Sequence, residues 1–338
     1  IRDSGSYVLP PGPPGVYKLF FNAVGDAEFY LDELFDEVIC ANGGCDVVNQ
    51  GGTIALVPGN NVLDEDLVAA ASIAGNITDT DGLPIAFVNV ALFDAQCNFI
   101  VGTQTAGDGG YVLGSFGEGV YYVYADASDQ GYVRELFPDE KRYFPCFPDI
   151  GQGQALALGP TDRLTGIDLQ LDSGGAISGL ISGPDGVLAP SQGQARLYSG
   201  NGDQLLVLNN TEPDDSYLLN GVLPGTYYVV LSSRNLGLVD EVFDDVDCPR
   251  FSCGAEAGVP VVVSPGEFVA GIDATLEPGA VISGRVTGPD GLPVAGYDIA
   301  FYNAEGKYVA FASTDGNGDY TTATGLPPGE YFASNQFR

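Results

Sequence analysis

The chain has 338 residues, 45 acids against 12 bases and no histidine, for a formal charge of −33. That balance excludes a phosphate-binding surface, which needs clustered Lys and Arg, and a polybasic membrane patch for the same reason. A hydrophobic fraction of 45% is enough for packed cores and sets disorder aside, while no apolar run approaches the roughly 18 residues of a membrane span.

At the amino end, "GSYVLPPGPPGVYKL" reads as two strands about a Pro/Gly turn. "DELFDE" follows, with Asp32, Glu33, Asp36 and Glu37 just ahead of Cys40 and Cys45. "IAGNI" opens the next stretch, "DTDG" at 79–82 is a hairpin turn, "DAQCNFI" carries Cys97, and "RELFPDE" leads to Cys146. From residue 174 the order starts again with "AISGLIS", the tight turn "GPDG", and "ARLYS" and "QLLVL" around "GNGD". "SYLLNGVLPGTYYVVLSS" then pairs two strands through a Pro/Gly turn, and "VPVVVSPGEFVAGIDATLEPG" adds two more. Short strands with turn signals every eight to twelve residues or so describe an antiparallel sandwich of about seven strands, and nothing supports a long helix. In "TYYVVL" and "VYYVYA", alternation sends one Tyr into the core and the next outward.

The landmarks keep a beat. A Tyr after a Gly/Asp/Ser cluster recurs as Tyr7, Tyr111, Tyr217 and Tyr320, and a second, just after a Pro/Gly turn, as Tyr17, Tyr121, Tyr227 and Tyr331. Phe35, Phe137 and Phe243, then Cys40, Cys146 and Cys248, and Gly75, Gly179 and Gly284 hold the same phase. The period of roughly 104 residues is that of a small domain with its own core, far above the repeats of solenoids. The expected organisation is a tandem array: the later part of a module in 1–70, complete modules in 71–173 and 174–278, and the earlier part of a module in 279–338.

The stretch "ISGRVTGPDGLPVAGYDIAFYNAEGKYVAFASTDGNGDYTTATGLPPGEYF" resembles the carboxypeptidase regulatory-like modules and, in pattern, the collagen-binding B-type (CnaB) modules of bacterial surface proteins. Residues 73–172 and 175–277 show the pattern in full, 278–338 its first half and 1–70 its second. The resemblance implies transthyretin-like or Ig-like sandwiches and is silent about activity. Modules of this kind act as spacers, stalks and adhesive or assembly units.

The six cysteines pair most simply as Cys40 with Cys45, Cys248 with Cys253, and Cys97 with Cys146, which implies an oxidising, extracellular compartment. Reduced buried thiols are the plain alternative. Zinc is disfavoured, since each local pair supplies two ligands and histidine is absent. The missing histidine also removes Ser-His-Asp and Cys-His catalysis, and tandem filled sandwiches offer no cleft for a carboxylate pair, so no enzyme is expected. The CnaB likeness raises a Lys–Asn isopeptide crosslink, but Lys18, Lys141 and Lys307 sit at different phases, and 175–277 has no lysine.

The acidic groups Asp32, Glu33, Asp36 and Glu37, and Asp240, Glu241, Asp244 and Asp245, are the candidate ligands for calcium, the one cofactor considered. No EF-hand spacing is present, and a solvated acidic face is the bland reading. Asn76 in "NIT" and Asn209 in "NNT" are candidate glycosylation sites. The expected function is that of an extracellular or cell-surface structural protein, a stalk or filament subunit. Its incomplete ends either continue into neighbouring modules of a longer chain, the preferred reading, or are completed head to tail by other copies. The alternatives are an adhesin binding glycan or matrix through exposed aromatics such as Tyr122 or Tyr228, and the accessory region of a larger secreted enzyme.

Overall fold

Runs of apolar residues spaced by two, punctuated by Gly and Pro, can satisfy their backbone only by pairing with one another. The computed structural model describes residues 7–10, 12–21, 29–35, 38–40, 45–59, 61–64, 66–146, 149–186, 188, 192–208, 216–233, 236–249, 252–254 and 257–334. Among these residues the chain forms thirty strands and two single-turn 3-10 helices. No helix among them is long and apolar enough to cross a membrane. The chain divides into two compact units, one of residues 1–126, 135–140 and 144–171, the other of 127–134, 141–143 and 172–338.

The first unit begins with β1 (Gly15–Tyr17), β2 (Phe20–Phe21), β3 (Glu33–Leu34), β4 (Val38–Ile39) and β5 (Ile54–Leu56); β1 pairs with β5, and β2, β3 and β4 form a meander. The sandwich after it uses β6 (Ala71–Asp79), β7 (Asn89–Asp94), β8 (Phe99–Gln104), β9 (Gly110–Phe116), β10 (Gly119–Asp126), β11 (Glu135–Leu136), β12 (Glu140–Lys141), β13 (Leu156–Leu158), β14 (Arg163–Thr165) and β15 (Leu169–Leu171). One sheet runs β12-β11-β10-β7-β8 with β13 also on β10, and the other runs β14-β6-β15 with β9 on the far side of β6. In β9 the burial alternates as the sequence does, Tyr111 and Leu113 inward and Val112 outward. Strands β14 and β15 lie parallel to β6, so the first and last strands of the sandwich are neighbours running the same way.

The second unit repeats this plan with β16 (Gly175–Ser182), β17 (Gly193–Ser199), β18 (Gln204–Leu208), β19 (Ser216–Val222), β20 (Gly225–Ser233), β21 (Glu241–Val242), β22 (Val246–Asp247), β23 (Val261–Val263), β24 (Phe268–Val269) and β25 (Ala274–Thr275). Its sheets are β18-β17-β20-β21-β22 with β23 on β20, and β19-β16-β24 with β25 on β16. The core between them gathers Ile177, Ile181, Leu197, Tyr217, Val229 and Val261. The unit closes with β26 (Ser283–Arg285), β27 (Asp298–Asn303), β28 (Tyr308–Ser313), β29 (Asp319–Thr321) and β30 (Tyr331–Ser334), paired as β26-β29 and β28-β27-β30.

Repetition extends to register. Gly15 faces Leu56, Gly119 faces Leu158 and Gly225 faces Val263, one pairing made three times. All of these pairings are antiparallel save those of β14 and β15 with β6 and of β24 and β25 with β16, and the fold is all-β.

The alternation expected in "VYYVYA" fails in part. Tyr121 and Tyr122 point to opposite faces of their sheet, yet both are buried. The outer face is covered as well: Tyr122 and Tyr124 pack with Leu136 and Ile150, against Phe93 and the Cys97–Cys146 pair. In the second unit Tyr228 is half-buried against Tyr198, Val230, Val242 and Cys248. The aromatics proposed as exposed glycan contacts therefore belong to small outer cores, because the cysteine-bearing segments fold over them.

Candidate functional site: a strand edge closed by tyrosine

The first periodic Tyr has a defined task. The hydroxyl of Tyr111 donates to the Ile167 carbonyl at 2.6 Å, that of Tyr217 to the Ile272 carbonyl at 2.7 Å, and that of Tyr7 to the Leu63 carbonyl at 3.1 Å. In the two complete sandwiches this carbonyl belongs to the segment lying parallel to the first strand, and it presses on the periodic Gly. A Cβ at Gly75 would come within 1.9 Å of the Ile167 oxygen, and one at Gly179 within 2.0 Å of the Ile272 oxygen. Only glycine admits so close an approach. The next residue of the segment makes a second tie: Asp168 accepts the Asn76 N–H at 2.8 Å, and Asp273 the Leu180 N–H at 2.9 Å. The segment thus carries an aliphatic residue and an Asp with a Leu three positions after the Asp, as Ile167, Asp168 and Leu171, and as Ile272, Asp273 and Leu276. Burial in an apolar site pushes the Tyr111 and Tyr217 hydroxyls above their usual range, with the nearby carboxylate of Asp168 or Asp273 adding to it, so both stay donors.

The second periodic Tyr locks the Pro/Gly turn before it, which the sequence suggests is a hairpin but which carries the chain from one sheet to the other: β9 pairs with β6 and β10 with β7, as β19 pairs with β16 and β20 with β17. Tyr17, Tyr121, Tyr227 and Tyr331 each donate to the carbonyl four residues before them, Pro13, Gly117, Leu223 and Pro327. The Gly two positions ahead leaves room for the ring, since a Cβ at Gly119 or Gly225 would meet the hydroxyl at 2.8 or 2.9 Å.

Strand β26 has the same fittings with one neighbour. It pairs with β29 on one side, Gly284 lies under Tyr320, and the nearest atoms a Cβ there would meet are those of the Tyr320 ring, the hydroxyl at 2.7 Å, where at Gly75 and Gly179 the nearest is a backbone carbonyl. Among the described residues the Tyr320 hydroxyl makes no hydrogen bond and no strand lies on the outer edge of β26. Ile282 and Val286, whose counterparts Ile73, Ile77, Ile177 and Ile181 are fully buried, are only half-buried.

The acidic segments are hairpin flaps on the edge of a sheet. Glu33 pairs with Ile39 and Glu241 with Asp247, and the amide of the following Phe35, Phe137 or Phe243 bonds back to the carbonyl of Leu19, of Val123 in β10 or of Val229 in β20, at 2.9 Å each time. Glu33, Glu135, Asp240 and Glu241 are buried, Asp32 is half-buried, and Asp244 and Asp245 are exposed. Burial, with Asp245, Asp244 and Asp247 nearby, pushes the Glu241 carboxyl up to about 7, against the pull of the Asp245 N–H that it accepts at 3.2 Å. The acids grouped as calcium ligands are thus divided between interior and surface; Asp36 and Glu37 lie outside the described residues. Among the described residues no three His, Cys, Asp or Glu side chains are grouped to hold a metal. The glutamate at this phase is the buried feature that composition hid, since it sits among acids that do face solvent.

The disulfides join Cys40 to Cys45, Cys97 to Cys146 and Cys248 to Cys253, with Cα separations of 4.9, 5.9 and 5.2 Å. Asn76 is exposed on β6; Asn209 lies outside the described residues. Lys18 donates to the Val48 and Gln50 carbonyls, Lys141 pairs with Asp172 at 3.0 Å, and Lys307 is exposed.

No protein-family model matches the chain, and no curated protein matches it. Among solved structures it is similar to the TIE protein of Bacillus anthracis, at 14% identity and a TM-score of 0.24 over 79% of this chain and 45% of that one. It is similar also to GBS52, the minor pilin of Streptococcus agalactiae, at 11% identity and a TM-score of 0.29 over 65% and 98% of the two chains. A third is BcpA, the major pilin subunit of Bacillus cereus, at 10% identity and a TM-score of 0.21 over 78% and 87%. The chain spans less than half the length of the TIE protein. Likenesses this loose carry no argument, and the sandwich architecture rests on the chain's own strands.

Proposed function

We propose that the chain is an extracellular structural protein, a stalk or filament-forming subunit of carboxypeptidase regulatory-like, CnaB-like sandwiches. Its role is architectural rather than catalytic, and its partners are copies of itself or flanking modules of the same polypeptide. The observation that carries this reading is a repeated joint. In the first unit Leu31 N–H bonds to the Val68 carbonyl and Ala70 N–H to the Phe29 carbonyl, with Tyr30 bridging Ala69. In the second, Val239 N–H bonds to the Glu277 carbonyl and Gly279 N–H to the Gly237 carbonyl, with Leu238 bridging Pro278. A linker hydrogen-bonded to the preceding fold in the same way each time favours a fixed spacing over a loose tether. The disulfides and the acidic surface suit an oxidising, aqueous exterior. Negative-stain images of the native protein test the proposal: rods or fibres support it, and compact isolated particles at every concentration remove it. Calcium enters as a bridging ion on exposed flap acids such as Asp244 and Asp245. A melting temperature lowered by chelation supports that role, and an unchanged one removes the ion.

A further inference from the structure

We infer that the outer edge of β26 is an acceptor for the 63–67 segment of a second copy of this chain. That segment would lie parallel to β26, with the Leu63 carbonyl over Gly284 and on the Tyr320 hydroxyl. The inference rests on the structural reading above and names its partner. The occupant is argued from the two complete sandwiches, where the equivalent edges of β6 and β16 hold an aliphatic-Asp-x-x-Leu segment in parallel register. Apart from those two internal segments, Leu63, Asp64 and Leu67 supply this pattern in the leading stretch. Each fitting has its counterpart: Gly284 stands for Gly75 and Gly179, Tyr320 for Tyr111 and Tyr217, and the Arg285 N–H, facing Asp64, for the N–H groups of Asn76 and Leu180.

The two terminal stretches are complementary. The trailing one contains the strands that correspond to β6 through β10; the leading one contains those that correspond to β10 through β13 and, in 59–67, the sequence counterpart of β14 and β15. Both have the Tyr–Pro/Gly–Tyr turn that links the two sheets, so one must leave. In the leading stretch the Leu63 carbonyl already accepts from Tyr7; docking exchanges the Tyr7 hydroxyl for that of Tyr320, one hydrogen bond for another. Likewise β30 replaces β1 beside β5. The gain lies in the paired edge of β26 and in apolar burial. Ile282 and Val286 reach the full burial of Ile73 and Ile77, while Ile54 and Leu56, half-buried, reach that of Leu156 and Leu158.

Sedimentation velocity of the full chain over a concentration series, with negative-stain images of the same samples, tests this. The expected result is end-to-end oligomers that lengthen with concentration. Gly284→Val should stay monomeric, because its side chain fills the place of the incoming carbonyl. Tyr320→Phe, which removes only a hydroxyl, should raise the concentration for half-association several-fold to about tenfold. Unchanged melting of the complete sandwiches controls for folding in both variants. Elongated wild-type monomers that never associate overturn the docking and leave the stalk reading standing. Gly284→Val oligomers like those of wild type also overturn it and leave a filament built by other contacts. Compact wild-type monomers at every concentration remove both.

Discussion

Hydroxyl groups close these sandwiches, and their energetic share can be set by what they leave behind. Phe at Tyr111 or Tyr217 keeps the ring but strands the Ile167 or Ile272 carbonyl in a buried site, a cost of about 1–3 kcal/mol. For a domain of this size that is a fall of roughly 4–8 °C in melting temperature per kcal/mol. Tyr17→Phe, at an exposed turn, should change it little. Glu241 gives a pH signature. Its carboxyl titrates near 7 in the fold against an ordinary 4.5, so the stability it contributes is full below about pH 4.5 and is lost as pH rises through about 7. Glu241→Gln should therefore melt like wild type at pH 4 and at a higher temperature than wild type at pH 8. An equal gap at both values would refute the assignment. The two Tyr phases and the periodic Gly were legible in the sequence as a beat. Their meeting was not, because the short aliphatic-Asp-x-x-Leu stretch that supplies the carbonyl, some 55 residues away, does not by itself point to its partner.

At the scale of elements, the strand-and-turn plan was readable because each strand alternates and each turn carries Gly, Asp or Pro. "DTDG" is such a turn: Asp79 accepts the N–H of Asp81 and of Leu83, and Gly82 sits at a φ of 79°. The acidic segments read as candidate calcium ligands or a solvated face, since runs of charge are usually solvated, and in the fold they are flaps that bury one Glu and roof an outer core. The reason is covalent as well as apolar: the cysteine at the end of each flap fastens it. Removing the bonds should separate two cases. The Cys97–Cys146 bridge spans 49 positions, and Ser at both sites should cost about 4 kcal/mol by loop entropy; the Cys248–Cys253 bridge spans 5, and the same change there should cost about 2 kcal/mol. Calorimetry of the two double variants checks the order. The first should also uncover Tyr122 and Tyr124, visible as quenchable tyrosine fluorescence.

For the whole molecule, the strand order that recurs from β6–β15 to β16–β25 has its trace in the sequence period, whereas the joints have none, since Leu31 with Val68 and Val239 with Glu277 meet through backbone atoms that any residues possess. Each complete sandwich also has its first and last strands side by side and pointing the same way. A pull on the two ends of such a domain therefore drags one strand lengthwise past its neighbour, loading a whole row of hydrogen bonds together instead of peeling them off singly. The Tyr111 and Tyr217 rungs lie within those rows. In single-molecule extension the complete sandwiches should yield at high force in sawtooth steps, and Tyr217→Phe should lower the peak for its own domain alone. A tether anchored this way resists traction most stubbornly along the line in which traction would arrive.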